Sequence, residues 1–222
     1  MSGTLYTGAS GFSYPSWKGG FYPDDARPED FLRLYAERVN TVELNNTFYR
    51  VPPEDQFDRW AAQVPDGFRF AVTASRRLTS FGRVEGVDEF CRMARRMGDR
   101  LGPLRFKVPQ ARDDGFLRLL LDAIDPDVPV ALDFRHDSWD APEITARLDE
   151  RGVARAGAWE GAAAFRYLRL REPPYDEEAL ALVAAQIRTQ VAAGADVYAF
   201  FRHEDEPTAP LYAERLRALI EE

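Results

Sequence analysis

Eight short segments with the composition of strands alternate with seven helical patterns along this 222-residue chain, and that alternation restricts the fold more than any other feature of the sequence. The strand candidates are 5–10, 41–45, 69–75, 104–109, 130–135, 153–159, 165–171 and 197–203. The helical candidates are 28–39, 53–64, 87–100, 114–124, 141–151, 176–193 and 209–222, several opening with first-turn prolines such as Pro28 and Pro142. Parallel strands need a crossover, usually a helix, so regular alternation predicts a parallel sheet. Eight strands with nearly as many helices is the count of a TIM-type (β/α)8 barrel, here one domain over residues 1–222. The chain is shorter than the ~250 residues usual for that fold. The economy falls between the sixth and seventh strands, where residues 160–164 leave no room for a helix and predict an abbreviated sixth β/α unit. A doubly wound open sheet competes on the same alternation, but Gly8-Ala9-Ser10-Gly11 is followed by loop-forming residues through Gly20 instead of the helix a dinucleotide turn requires.

The strands carry a second pattern. Successive strand side chains point to opposite faces, and in four segments one face is apolar while the other is charged. Glu43 and Asn45 alternate with Val42 and Leu44, Arg105 and Lys107 with Leu104 and Phe106, Asp133 and Arg135 with Leu132 and Phe134, and Arg169 and Arg171 with Leu168 and Leu170. If the apolar face packs on helices, the charged face turns into the barrel, towards the C-terminal strand ends where barrel enzymes build their sites. Counting Arg202 as well, six cations then face Glu43 and Asp133, with His136 and His203 alongside.

Several stretches are long enough to identify relatives. Residues 8–23 (GASGFSYPSWKGGFYP), 42–52 (VELNNTFYRVP), 101–104 (LGPL), 133–139 (DFRHDSW), 197–201 (VYAFF) and Ala209-Pro210 occur in the order found in the YecE-like barrels, domain of unknown function 72, which this chain resembles as a shortened and divergent member. The resemblance implies a TIM-type barrel and no particular reaction, since the family's activity is not established. Against the family pattern, Thr73 stands where a lysine is expected, Thr79-Ser80 where Thr-His is expected, Lys107 for a glutamine, Arg171 for a histidine, Arg202-His203 for an asparagine pair, and Asp133 for a glutamate. The polar ends of the later strands are thus less well kept than the early motifs.

Two readings of the charged face compete. Buried charges must be paired and hydrogen-bonded, so Glu43 and Asp133 anchor arginines in either case. Two carboxylates cannot neutralise six cations, however, and the surplus calls for solvent or a bound anion. Phosphate fits best, because the guanidinium fork matches its oxygens bidentately. The expected anion ligands are Lys107, Arg135, Arg169, Arg171 and Arg202, with Asn45, His136 and His203 beside them. Glu43 and Asp133 are candidates for base or acid work. Tyr14, Tyr49 and Trp139 are expected as exposed rings able to stack on a sugar or base, whereas Trp17 and Phe48 are expected to cap the barrel. No cofactor is expected. A divalent metal on His203 with either carboxylate is the weaker alternative, since the surrounding cations repel it.

Three function classes stay open: an enzyme acting on a phosphorylated metabolite or nucleotide, a protein that binds or processes nucleic acid, single-stranded above all, and a non-catalytic ligand-binding scaffold. The net charge of -8 argues against a globally basic nucleic-acid binder. The single cysteine, Cys91, lies on the apolar stripe Phe90, Met93, Ala94, Met97 and reads as a buried structural thiol. The N-terminus shows no basic-then-apolar leader, and no apolar run approaches the ~20 residues of a membrane span, which predicts a cytoplasmic protein.

Overall fold

In the computed structural model, which describes residues 2–79 and 83–221, eight parallel strands lie in two arcs. One holds β2 (Thr41–Leu44), β3 (Arg69–Thr73), β4 (Leu101–Val108), β5 (Val130–Phe134) and β6 (Ala154–Arg155) in sequence order. The other runs β1 (Leu5–Ala9), β8 (Asp196–Phe201), β7 (Phe165–Leu170). The arcs touch along β1–β2 and β6–β7, giving the TIM-type barrel that the alternation predicts.

At the first seam side chains replace the missing ladder. Asn40 accepts from the Thr7 N–H at 2.9 Å and donates to the Leu5 carbonyl at 2.8 Å. The buried Tyr35 hydroxyl accepts from the Ala9 N–H at 2.7 Å and donates to the Thr41 carbonyl at 3.0 Å. Gly8 allows this approach: a Cβ there would stand 1.9 Å from the Thr41 oxygen. At the other seam the Gly157 N–H donates to the Tyr167 carbonyl at 2.8 Å.

The helices are α1 (Phe31–Ala36), α2 (Glu54–Ala61), α3 (Val87–Ala94), α4 (Asp114–Ala123), α5 (Pro142–Glu150), α6 (Glu177–Ala192) and α7 (Thr208–Glu221). Their apolar stripes, such as Val87, Phe90, Cys91 and Ala94 on α3, bury against the outer face of the sheet. Cys91 is buried there as expected. Asp113 and Asp176 cap α4 and α6 by accepting from Phe116 N and Ala179 N, each at 2.9 Å.

The barrel interior is a separate cluster, in which Tyr6, Phe165, Tyr167, Tyr198 and Phe200 from β1, β7 and β8 are matched by Ala71, Ala131 and Ala154 from the other arc. Large residues on one arc and small ones on the other fill the space without strain.

Three elements depart most from expectation. The first helix is shorter, opening as a 3-10 turn at Pro28–Asp30 and ending at Ala36, which lets Asn40 turn back onto β1. The third breaks after Ala94 into a tight turn where Gly98 takes a φ of 54°, and β4 begins directly afterwards at Leu101. The expected sixth strand, 153–159, shrinks to Ala154–Arg155, because Gly157 at φ 87° turns the chain out of the sheet. No helix forms between β6 and β7, as the short 160–164 segment predicts. Ser80 and Glu222 lie outside the described residues. No helix among the described residues is long and apolar enough to cross a membrane.

Candidate functional site

Glu43, Arg105, Asp133 and Arg169 meet inside the barrel at the C-terminal ends of β2, β4, β5 and β7. The strand pairing sets this: Lys107 sits level with Asp133 on β4–β5, one side-chain repeat above Arg105 beside Ala131. Glu43 is fully buried. Its Oε1 accepts from the Tyr167 hydroxyl at 2.7 Å, and its Oε2 accepts from Asn45 at 2.8 Å and from Arg169 Nη2 at 3.1 Å. Arg169 Nε lies a further 3.0 Å from Oε1 as an ion-pair contact, without hydrogen-bond alignment. Asp133 Oδ2 accepts from both Nε and Nη2 of the buried Arg105, at 3.0 Å for Nε. Thr73 closes the ring, accepting from Arg105 Nη1 at 3.3 Å and donating to Asn45 Oδ1 at 2.9 Å.

Burial alone would raise the Glu43 carboxyl, but the charges of Arg169 and Arg105, with the hydrogen bonds from Tyr167 and Asn45, outweigh it and hold the group at about 2. Glu43 therefore stays ionised at neutral pH with its lone pairs occupied. Burial, then the Glu43 charge, pushes the Tyr167 hydroxyl far above its usual range, so it remains a donor.

This sets a pH dependence. A carboxylate whose folded value lies near 2 against 4.5 unperturbed stabilises fully above pH 4.5 and loses that contribution as pH falls towards 2. The contribution is on the order of 3 kcal/mol. Urea unfolding of the wild type and Glu43→Gln at pH 7 and pH 3 is expected to show the gap between them narrowing in acid. A gap independent of pH would show that Glu43 does not carry this linkage.

Above the network opens a cavity of about 540 Å3, lined by the cations Arg105, Lys107, Arg135, Arg169 and Arg171, by Asn45, Asn46 and Thr73, and by Ser10, Tyr14, Phe48, Tyr49 and His203. Among the described lining residues there is no carboxylate. Both acid candidates lie beneath the floor, each facing an arginine, which corrects their expected place as exposed acid and base. Arg135 retains one contact with Asp133, Nη1 to Oδ1 at 3.5 Å. Among the described residues Lys107 and Arg171 form no ion pair; Lys107 Nζ lies 5.6 Å from the centre of the Phe48 ring. Burial, and then neighbouring arginines (Arg135 for Lys107, Arg169 for Arg171), lowers the pKa of both.

Of the residues expected from the strand pattern, the structure gathers Asn45, Lys107, Arg135, Arg169, Arg171, His203, Tyr14 and Tyr49 around this cavity, with Tyr49 72% exposed. It leaves three outside. Trp139, expected on the surface, is fully buried, stacked on Phe134 with Nε1 donating to the Gln110 carbonyl at 2.8 Å. His136 faces its own turn, its Nδ1 accepting from Ser138 N at 3.1 Å. Arg202 is exposed and does not line the cavity. Trp17 is buried as a cap, whereas Phe48 lines the cavity. Tyr167 was not among the expected site residues, although its spacing from Arg169 and Arg171 places it on their face. Ser10 carries no comparable signal.

The architecture and site together define a TIM-type barrel with a cation-rich C-terminal mouth. The pattern of the family described as "Protein of unknown function DUF72" matches residues 6–222, and the chain belongs to that family. UPF0759 protein YecE of Escherichia coli (strain K12) is 26% identical over 161 residues, 69% of this chain and 56% of the relative. UPF0759 protein YunF of Bacillus subtilis (strain 168) is 25% identical over 153 residues, 62% of this chain and 53% of the relative. The chain thus spans about half the length of these curated relatives. The crystal structure of a family protein from Thermotoga maritima superposes with a TM-score of 0.84 at 23% identity, covering 99% of this chain and 100% of that one. One from Enterococcus faecalis gives 0.76 at 14% identity, covering 99% and 98%. At these identities the likeness is one of fold.

Proposed function

We propose that this barrel binds an anionic, phosphate-bearing small molecule at its C-terminal mouth. The observation that carries the reading is the imbalance at the cavity: five cations line it, two of them without an ion-pair partner among the described residues, and no carboxylate among the described residues shares the lining. A doubly charged oxyanion relieves the arginine repulsion that, after burial, lowers the pKa of Lys107 and Arg171. The arginine forks supply bidentate donors, in the position where barrels commonly hold phosphate. In this reading Glu43 and Asp133 are positioning residues, fixing Arg169 and Arg105 so that no ordering cost falls on the ligand.

A nucleic-acid interface would need the basic zone to continue over the rim. The rim is mixed in charge, since the loops after β7 and β8 carry Glu172, Glu204, Asp205 and Glu206 while those after β2, β3 and β8 carry Arg50, Arg76, Arg77 and Arg202, and the chain charge of -8 repels a polyanion elsewhere. Both favour a pocket-sized ligand.

Phosphate is expected to raise the melting temperature by mass action beyond chloride of equal ionic strength. Lys107→Ala and Arg171→Ala should each remove most of that extra rise. An equal rise in chloride, or one unchanged in both variants, would reduce the effect to general salt.

A further inference from the structure

The cavity carries rings as well as cations, and the rings are built into a stack. Trp17, fully buried, is tied down by its Nε1 donating to the Glu204 carbonyl at 3.0 Å. Tyr14 lies against it with ring centres 4.6 Å apart, and His203 stacks on Tyr14 at 4.9 Å and 12°. Tyr14 covers one face of the imidazole, yet His203 is exposed, so the stack ends on a ring that is open to the cavity. Phe48 and Tyr49, edge to face with each other at 5.3 Å, line the same cavity from the loop after β2. These rings come from loops after β1, β2 and β8, which are neighbours around the barrel, whereas Lys107 and Arg135 come from β4 and β5 across it.

Ser10 fixes how the imidazole is presented. Its hydroxyl accepts from the His203 backbone N–H at 3.0 Å and sits 3.1 Å from Nδ1. The hydroxyl still has its own proton, which the Nδ1 of a neutral imidazole can accept, and in that tautomer His203 presents Nε2–H as a donor. Burial and the nearby Arg171 and Arg202 charges lower the His203 pKa in the same sense. A neutral imidazole adds no charge to the mouth and stacks on a planar heterocycle as an uncharged ring.

We infer that the anion bound here carries a planar heteroaromatic ring that extends the Trp17–Tyr14–His203 stack while its phosphate meets Lys107, Arg135 and Arg171, which makes the ligand a free nucleoside monophosphate by class. This rests on the anion reading above and goes beyond it. A cavity of about 540 Å3 falls within the range that encloses ligands of this size.

Calorimetric titration of the full chain with adenosine 5′-monophosphate, ribose 5-phosphate, inorganic phosphate and a 5′-phosphorylated single-stranded oligodeoxyadenylate tests it at about 0.15 M salt. Stacking one base on an aromatic platform is expected to make the nucleotide bind roughly tenfold or more tighter than ribose 5-phosphate. The oligonucleotide should bind no tighter than the mononucleotide. His203→Ala should bring the nucleotide down to the ribose 5-phosphate level with ribose 5-phosphate binding intact, and His203→Phe should keep the preference. Equal binding of nucleotide and sugar phosphate by the wild type overturns this inference while leaving the anion site standing. Failure of all three small phosphates to bind overturns both. Much tighter oligonucleotide binding moves the ligand to a strand end, and equal loss of nucleotide and ribose 5-phosphate in His203→Ala assigns His203 to structure alone.

Discussion

Glu43→Gln is expected to cost the barrel about 3–5 kcal/mol of unfolding free energy at pH 7, the range for breaking one side of a buried ion pair. The substitution keeps the volume and removes the charge. Arg169 then loses the nearer of its two carboxylates, keeping only Asp133 at 3.6 Å, and Arg105 loses its longer contact with Glu43 at 3.8 Å, with both guanidiniums still inside the strand cylinder. The new amide nitrogen must also face a donor, since Tyr167, Asn45 and Arg169 all present hydrogens to this carboxyl. Tyr167→Phe removes a single bond to the same charge and should cost about 1.5–3 kcal/mol. Urea titration of both variants beside the wild type measures the two losses. A cost below about 1 kcal/mol for Glu43→Gln would mean that water reaches the network and that Glu43 is not its anchor.

Gly8→Ala is the other severe substitution, expected to abolish folding or to cost more than about 3 kcal/mol, at the upper end of what an extra methyl does in a packed interior. The added carbon would stand 1.9 Å from a backbone oxygen, and neither side can yield. β1 is held by its ladder to β8, in which Gly8 pairs with Phe200, while Thr41 is held by Tyr35 and by the β2–β3 ladder. Tyr35→Phe probes the same seam more gently. It strips a partner from the Ala9 N–H and the Thr41 carbonyl together and should cost about 1–3 kcal/mol. Circular dichroism and thermal melting of the two variants read the effects; a Gly8→Ala protein as stable as wild type would mean that the seam is open.

Much of this was legible in the chain because strand periodicity is local. The alternation of Leu104, Arg105, Phe106 and Lys107, repeated on the strands that carry Glu43, Asp133 and Arg169, is enough to separate a helix-facing side from an interior side, and eight such units imply the barrel. The short 160–164 segment is enough to remove the sixth helix. What could not be read was depth along the barrel axis. Period two places Glu43, Arg105 and Arg169 on the interior face without saying which lies beneath the others, and burial decides chemistry: the carboxylates that looked like acid and base sit under the arginines they hold. Trp139 failed for the same reason, since a loop aromatic after a strand looks the same in sequence whether it points outward or, as here, folds back on Phe134.

From its own pattern, then, the sequence determined the eight β/α units, the interior charged face and its excess of cations, all consequences of residue spacing within single elements. Only the tertiary structure decided that Tyr35 and Asn40 close one seam, that Tyr167 satisfies Glu43, that Ser10 orients His203 and that Lys107 and Arg171 are left unpaired at the mouth among the described residues. The first three join residues far apart in the chain and the last depends on which of them meet, all through contacts fixed by strand stagger and loop path, and no local spacing encodes those distances.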